Sequence, residues 1–151
     1  PGGESTTISK LMDAFELREP IRDLAKTEIP IWGTCAGLIL MSKKLSGDGP
    51  SPLGLIDITV SRNHFGRQKD SFVTSLDIPA LGSNQFEGVF IRAPGIESTG
   101  IGVETIASLP NGEPVAVKSG NMLVTSFHPE LTSDYRFHSY FLKFPGINRE
   151  N

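Results

Sequence analysis

The chain contains one cysteine, and its surroundings are typical of a nucleophile. Cys35 lies between two glycines in the string GTCAG, after the apolar run IPIWGT and before the apolar run AGLILM. A strand, a tight glycine-flanked turn, a nucleophile and a helix form a nucleophile elbow. Such a turn strains the backbone of the nucleophile, and its neighbours must be small because strand and helix nearly touch. Covalent catalysis is one interpretation of Cys35, and a small buried core residue is the other.

Two backbone segments could stabilise an oxyanion beside this cysteine. The helix predicted after Cys35 directs its first N–H groups and its positive dipole end at the sulfur, which favours the reactive thiolate. The N–H group of Ala36 is then placed to bind a developing oxyanion. Gly2 and Gly3 of the opening string PGGES offer further unobstructed N–H groups, although Pro-Gly-Gly alone is also typical of a plain turn.

A general base is available in the string TSFHPEL, where His128 follows an apolar strand. Pro129 favours an extended conformation for the residue before it. Residues i and i+2 of an extended chain point to the same side, so Glu130 can reach the imidazole of His128. A carboxylate in this position fixes the tautomer of the histidine and stabilises its cation. The other two histidines, His64 and His138, lie in a polar stretch and in an aromatic-rich helix and are weaker candidates.

The elements predicted around these residues alternate in the first half of the chain and are mostly strands in the second half. Ile8, Leu11, Met12 and Phe15 form one apolar helical face in the first helix, with Ser5, Thr6 or Thr7 as its cap. This order indicates an α/β fold with a mixed sheet in a single domain, residues 1–151. Helices are predicted at 6–17, 20–27, 36–45 and 132–143. Strands are predicted at 29–34, 55–61, 70–78, 87–93, 102–109, 114–120 and 121–127.

Composition argues against several classes of protein. The 151 residues include 14 Lys and Arg against 17 Asp and Glu, with a net charge of −3 and no basic stripe, so a nucleic-acid partner is not expected. No apolar run approaches the ~18 residues that span a bilayer, so no membrane partner is expected either. No metal-ligand spacing occurs among the His, Cys and carboxylate residues. A single cysteine fits a reducing compartment.

Several strings, taken together in this order, resemble a known family. PGG, GTCAG and HPE resemble the three signatures of class I (triad) glutamine amidotransferases. The longer strings PGGESTT, GTCAGLI, RNHFGRQ, FIRAPGI and SFHPELT resemble the glutaminase-subunit family of pyridoxal 5′-phosphate synthase, over residues 1 to about 142. The resemblance implies a three-layer, flavodoxin-like α/β fold with a mixed, mostly parallel sheet. It also implies that this domain is incomplete at its N-terminus and lacks the first strands and helix.

The family resemblance also implies roles for individual residues. Cys35 is implied as the nucleophile, His128 as the general acid and base, and Glu130 as its orienting acid. Gly3 and Ala36 are implied as the oxyanion hole. The implied glutamine-binding residues are Gly3, Glu4, Ser5, Arg62, Ile91 and Arg92. An arginine suits the α-carboxylate of glutamine, and the sequence leaves open which of Arg62 and Arg92 makes that contact. Arg67 is interpreted as structural or interfacial.

The resemblance further implies a cytoplasmic enzyme that hydrolyses L-glutamine without a cofactor and passes ammonia to a pyridoxal 5′-phosphate synthase subunit. Three alternatives stay open on the sequence. The chain could serve another synthase, such as one for histidine or purine precursors. It could be a Cys-His-Glu peptidase or deglycase on a related fold. It could also be a non-catalytic fragment that only docks on a synthase.

Overall fold

The structure is a computed structural model, and it describes residues 1–62, 64–65 and 71–146. Four α-helices and nine strands lie within these ranges, and two short 3₁₀ turns occupy Pro79–Leu81 and Pro129–Leu131. The helices are α1 (Ser5–Ala14), α2 (Arg18–Ala25), α3 (Ala36–Met41) and α4 (Arg136–Phe141). The strands are β1 (Ile31–Thr34), β2 (Ser42–Ser46), β3 (Ile56–Ser61), β4 (Ser71–Leu76), β5 (Phe86–Ile91), β6 (Gly95–Thr99), β7 (Glu104–Ser108), β8 (Pro114–Ser119) and β9 (Met122–Thr125).

The strands form mixed sheets, so the predicted α/β class with mixed sheets is confirmed. One sheet has the order β1-β9-β8-β7, a second has the order β2-β3-β6, and β4 pairs with β5. Of the six pairings between described strands, β1–β9 and β2–β3 are parallel and four are antiparallel. The expected parallel majority is therefore not found among them. The physical reason is local, since a two-residue connection such as 120–121 between β8 and β9 allows only an antiparallel neighbour.

The pairing of β1 with β9 determines where the candidate site forms. The two strands run parallel, and Thr34 lies opposite Thr125 at their ends. The carboxyl ends of parallel strands meet at the same edge of a sheet. The residues that follow β1 and β9 are Cys35 and the segment with His128, so both reach the same edge.

An aromatic core lies behind this edge. Phe86, Phe90, Phe127 and Phe137 are fully buried. The ring of Phe127 lies 5.6 Å from that of Phe90 and 5.4 Å from that of Phe137. Burying an aromatic side chain of this size is worth ~2–3 kcal/mol relative to exposure, so the segment that enters the site is fixed in place by its packing.

Residues 36–45 do not form the single helix that the sequence predicts. The helix ends at Met41, and residues 42–46 form β2, which pairs in parallel with β3. Lys43 and Lys44 are good helix formers, but this local preference is weak compared with the hydrogen bonds of a sheet. The strand β6 is also absent from the prediction, because Pro94 and Gly95 suggest a turn rather than a strand.

The first and last helices are shorter than predicted, and their apolar faces are only partly buried. Met12 is buried, but Leu11 and Phe15, which the spacing places on the same apolar face, are 50% and 68% exposed. In the last helix Phe137 is buried, whereas Tyr135 and Leu142, which flank it, are 71% and 55% exposed. Of the helices in the described ranges, none combines the length and hydrophobicity that crossing a membrane requires.

Candidate active site

Cys35 occupies the strained turn that the sequence predicts. Its φ of 51° and ψ of −103° lie outside the regions that ordinary residues adopt. The peptide is held there from one side, because the Cys35 N–H donates a hydrogen bond of 2.8 Å to the carbonyl oxygen of Thr125. On the other side, the carbonyl of Cys35 accepts from Leu38 at 3.0 Å and so begins α3. A backbone that is strained and doubly anchored is typical of a functional site.

The two glycines around Cys35 have different roles. A Cβ atom added to Gly33 would lie 2.6 Å from Sδ of Met41 and 2.7 Å from the backbone carbonyl carbon of Gly37, so strand and helix do nearly touch here. A Cβ atom added to Gly37 would instead face the carbonyl oxygen of Pro1, at 3.4 Å. Gly33 therefore permits the close approach, and Gly37 borders the loop at residues 1–3.

His128 is held by its backbone and by Glu130. Its N–H donates to the carbonyl oxygen of Val89 in β5 at 2.9 Å. Its Nδ1 donates to Oε1 of Glu130 at 2.7 Å, as the sequence predicts. The route differs from the prediction, because Glu130 lies in the 3₁₀ turn Pro129–Leu131 and not in extended chain. The turn brings the carboxylate back to the imidazole at the end of a segment that the core holds through Phe127.

The electrostatic environment of His128 stabilises its cation. The hydrogen bond with the Cys35 side chain is the largest cause that raises the pKa of His128 from 6.5 to about 9. Burial opposes this change, and the hydrogen bond with Glu130 adds to it. At neutral pH the imidazole therefore carries a proton. A protonated histidine beside a cysteine is an arrangement that covalent catalysis by a thiol uses.

A cavity of about 280 Å³ opens beside the sulfur. It brings together seven of the residues predicted from the sequence for catalysis, oxyanion binding or glutamine binding. Its lining consists of Gly3, Glu4, Ser5, Cys35, Ala36, Ile39, Arg62 and Arg92. Ala36 is the first residue of α3, so its N–H has no carbonyl partner within the helix. The φ of Gly3 is 128°, a conformation that a glycine adopts readily.

Ile91 contributes its backbone to this region and does not line the cavity. Its carbonyl oxygen lies 3.9 Å from Sγ of Cys35, and its side chain is 41% exposed. The next residue, Arg92, has a φ of 44°, which is rare for a residue with a side chain. The end of β5 is thus the third wall of the site, after the ends of β1 and β9.

The charged residues of the cavity differ in whether another described residue pairs with them. Nη2 of Arg62 lies 3.2 Å from Oε1 of Glu4. Glu4 also accepts hydrogen bonds from the N–H groups of Thr6 and Thr7, which lower its pKa from 4.5 to about 2. Glu4 therefore caps α1, rather than the predicted Ser5, Thr6 or Thr7. Arg92 forms no salt bridge with any residue that the structure describes.

The other residues considered from the sequence lie elsewhere. Nδ1 of His64 lies 3.0 Å from Oγ of Ser61, and its Nε2 lies 3.5 Å from Glu113. His138 packs edge-on against Trp32, with ring centroids 5.2 Å apart. Arg67 lies outside the described residues.

Three contacts of the site are not indicated by any sequence pattern. These are the backbone partners Thr125 and Val89 and the contact between Gly2 and His128 that is described below. The two backbone acceptors leave no mark on the sequence, because any residue type supplies a carbonyl. For Gly2, the sequence suggests only the use of its N–H group.

A strained cysteine at a strand-to-helix turn, a histidine–glutamate pair and an adjoining polar cavity define a cysteine-dependent hydrolase on an α/β fold. Comparison with known proteins narrows this class. The chain belongs to the SNO glutamine amidotransferase family, whose model matches residues 1–145. It is accordingly an enzyme of the glutaminase class.

Similar proteins support this assignment. A protein of Dehalococcoides mccartyi called pyridoxal 5′-phosphate synthase subunit PdxT is 57% identical over 145 residues, which cover 95% of this chain and 74% of that protein. A protein of Herpetosiphon aurantiacus with the same name is 56% identical over 145 residues, which cover 94% of this chain and 76% of that protein.

Solved structures agree on the fold. A crystal structure described as a glutamine amidotransferase has a TM-score of 0.88 and 45% identity, and the match covers 95% of this chain and 75% of that one. The structure of a putative GMP synthase subunit from Thermoplasma acidophilum has a TM-score of 0.60 and only 16% identity, covering 93% of this chain and 68% of that one. The second likeness shows a shared fold and nothing about function.

Proposed function

We propose that this chain hydrolyses L-glutamine to L-glutamate and ammonia at Cys35, and that the ammonia is used to make pyridoxal 5′-phosphate. The main support for this reaction is the position of His128, which interacts with Cys35 on one side and with Glu130 on the other. The relatives named as pyridoxal 5′-phosphate synthase subunits support the use of the product.

The reaction begins with attack of the Cys35 thiolate on the side-chain amide carbon of glutamine. The oxyanion that forms accepts hydrogen bonds from the N–H groups of Gly3 and Ala36, which both line the cavity. The imidazolium of His128 gives its proton to the departing nitrogen, and ammonia leaves. A γ-glutamyl thioester remains on Cys35, with neutral His128 beside it.

Water completes the cycle. His128 takes a proton from a water molecule, which attacks the thioester carbon. Glutamate departs, and the Cys35 thiolate and the His128 cation are restored. The raised pKa of His128 suits the first half of this cycle, in which it must hold a proton at neutral pH. Glutamine and water are consumed and glutamate and ammonium are formed, because ammonia takes up the proton that the new carboxyl group releases.

The charges of the cavity suit free glutamine as the substrate. We assign the α-carboxylate of glutamine to Arg92, because Arg92 has no salt-bridge partner among the described residues whereas Arg62 already lies against Glu4. Glu4 lines the cavity as an ionised carboxylate, since its pKa is about 2, and its hydrogen bonds with Thr6, Thr7 and Arg62 hold it in that wall. Ser5 completes the polar wall, and Ile91 contributes through its backbone.

We propose that ammonia is delivered to a pyridoxal 5′-phosphate synthase subunit that binds this chain, in the cytoplasm. The high identity to synthase subunits favours this partner over other synthases, since the likeness to a GMP synthase subunit is only at the level of the fold. A cytoplasmic site of action fits a mechanism that depends on a reduced thiol.

The test is glutamine-dependent ammonia release by the chain mixed with a pyridoxal 5′-phosphate synthase subunit. Cys35→Ala should abolish release, and Cys35→Ser provides a matched control of nearly unchanged shape that lacks the thiolate. Because Cys35 is the only cysteine, intact mass spectrometry of acid-quenched enzyme should also find the glutamyl adduct on that residue alone. Ammonia release by Cys35→Ala at the wild-type rate would refute the assignment. Failure of the synthase to co-purify with an active chain would refute the partner alone.

A further inference from the structure

The glycines at positions 2 and 3 are required for different reasons. Gly3 has a φ of 128°, and a Cβ atom there would have Ile8 as its nearest neighbour, at 3.6 Å. Gly3 is therefore needed for its backbone conformation and not for space. Gly2 has no positive φ, but a Cβ atom added to it would lie 2.5 Å from Cε1 and 3.2 Å from Nδ1 of His128. Gly2 is needed for space, and the space is taken by the imidazole.

The imidazole has no room to avoid such a Cβ atom without losing a partner. Two carbon atoms in contact lie ~3.5–4 Å apart, so the ring would have to move by roughly 1 Å. Its Nδ1 donates to Glu130, and its other interaction is with Cys35. Its backbone is fixed by the hydrogen bond to Val89, so a rotation of the side chain is the main freedom left. Rotation breaks the alignment with Cys35 or with Glu130.

The loop at residues 1–3 is also restrained, so it does not simply give way. On one side Pro1 lies against Gly37 at the start of α3, where a Cβ atom added to Gly37 would be 3.4 Å from the carbonyl oxygen of Pro1. On the other side Glu4 is fixed by its hydrogen bonds to Thr6 and Thr7 at the start of α1. The loop therefore lies over His128 with one end against α3 and the other end fixed at the start of α1.

We propose that Gly2 is a positioning residue for His128. Because Gly2 has no side chain, the imidazole can occupy the space between Cys35 and Glu130. The role is steric, and it is separate from the oxyanion contact assigned to Gly3. The expected loss of glutaminase activity in a Gly2 variant rests on the proposed function of the site. The expected displacement of the imidazole does not.

Gly2→Ala tests this proposal by NMR titration of the histidine side chains in the full chain. The added methyl should displace the imidazole, so that the pKa of His128 falls from about 9 toward 6.5. Alkylation of Cys35 by iodoacetamide at pH 7 should slow, because the cation that stabilises the thiolate has moved. In the glutaminase assay kcat should fall at least about tenfold with little change in KM, since the arginines of the cavity are untouched. Gly37→Ala is the matched control, because its methyl faces Pro1 and leaves the titration of His128 unchanged.

A double-mutant cycle separates this effect from a general effect on the loop or on folding. Gly2→Ala should lower Tm by roughly 2–10 °C in the wild-type background, as overpacking does. In the His128→Ala background the same methyl finds open space, so this loss should disappear even if the single variant folds poorly. An equal loss of Tm in both backgrounds would overturn the proposal. An unchanged titration of His128 in folded Gly2→Ala would overturn it as well, whatever happens to ammonia release. A fall in the pKa of His128 in Gly37→Ala as large as that in Gly2→Ala would also overturn the proposal, since the effect would then belong to the loop and not to the methyl group beside the imidazole.

Discussion

The raised pKa of His128 provides a quantitative test of the site. The pKa rises from 6.5 to about 9, a difference of about 2.5 units. A change of this size corresponds to on the order of 3–4 kcal/mol in favour of the imidazolium, before solvent screening reduces it. The causes, in decreasing order, are the hydrogen bond with Cys35, the opposing effect of burial and the hydrogen bond with Glu130. Cys35 should therefore matter more to this pKa than Glu130 does.

Two substitutions that nearly keep the shape of the site separate these causes. Cys35→Ala should lower the pKa of His128 by more than Glu130→Gln does, because it removes the largest cause. The double variant should have a pKa below 6.5, since burial then acts alone and disfavours the cation. Chemical-shift titration of the imidazole measures each value, and the signal is assigned by its loss in His128→Gln.

The same ranking predicts a pH profile for the enzyme. The group is protonated below about pH 9, so kcat/KM should fall as pH rises through about 9, where His128 loses the proton meant for the leaving nitrogen. Glu130→Gln should shift this alkaline limb to lower pH. A larger change in the pKa of His128 in Glu130→Gln than in Cys35→Ala would refute the order of causes. If the fall of kcat/KM at alkaline pH occurs at the same pH in Glu130→Gln as in the wild type, the link between this fall and His128 is refuted.

Two further predictions concern the walls of the site. Gly33→Ala should destabilise the chain by ~1–3 kcal/mol in urea unfolding and lower kcat, because its Cβ atom meets the backbone of Gly37. Recovery of both properties in the double variant with Met41→Ala would contradict this, since trimming a side chain cannot relieve a backbone contact. Arg92→Met should raise KM for glutamine by ~10–100-fold with a smaller change in kcat, as expected for loss of one charge-assisted hydrogen bond. Arg62→Met should have a smaller effect on KM, and the reverse order would assign the carboxylate to Arg62.

Local sequence was sufficient where the chemistry depends on near neighbours. The elbow around Cys35 could be predicted because a nucleophile needs small neighbours where strand and helix nearly touch, and Gly33 meets that need. The pair of His128 and Glu130 could be predicted from a spacing of two residues, although the connecting backbone is a turn and not a strand. In both cases the residues that determine the geometry are adjacent in the chain.

Local sequence failed where a distant partner outweighed a local preference. The segment 42–46 contains good helix formers, yet it pairs as β2 with a strand more than ten residues further along the chain. Glu4 displaced the expected hydroxyl caps because its carboxylate reaches two N–H groups and also meets Arg62. Leu11 and Phe15 fit an inward helical face by spacing, but no part of the described structure covers them.

The sequence by itself determined which side chains can act as nucleophile, base and orienting acid, because these roles follow from residue type and from spacings of a few residues. Only the tertiary structure brought Cys35 to His128, across more than ninety residues, through the parallel pairing of β1 with β9 and the anchoring of His128 to β5. Only the tertiary structure also decided that Gly2 faces the imidazole and that Arg92, rather than Arg62, is left without a salt bridge among the described residues. The physical reason is that such contacts are set by how strands and loops pack, and packing depends on the whole chain at once.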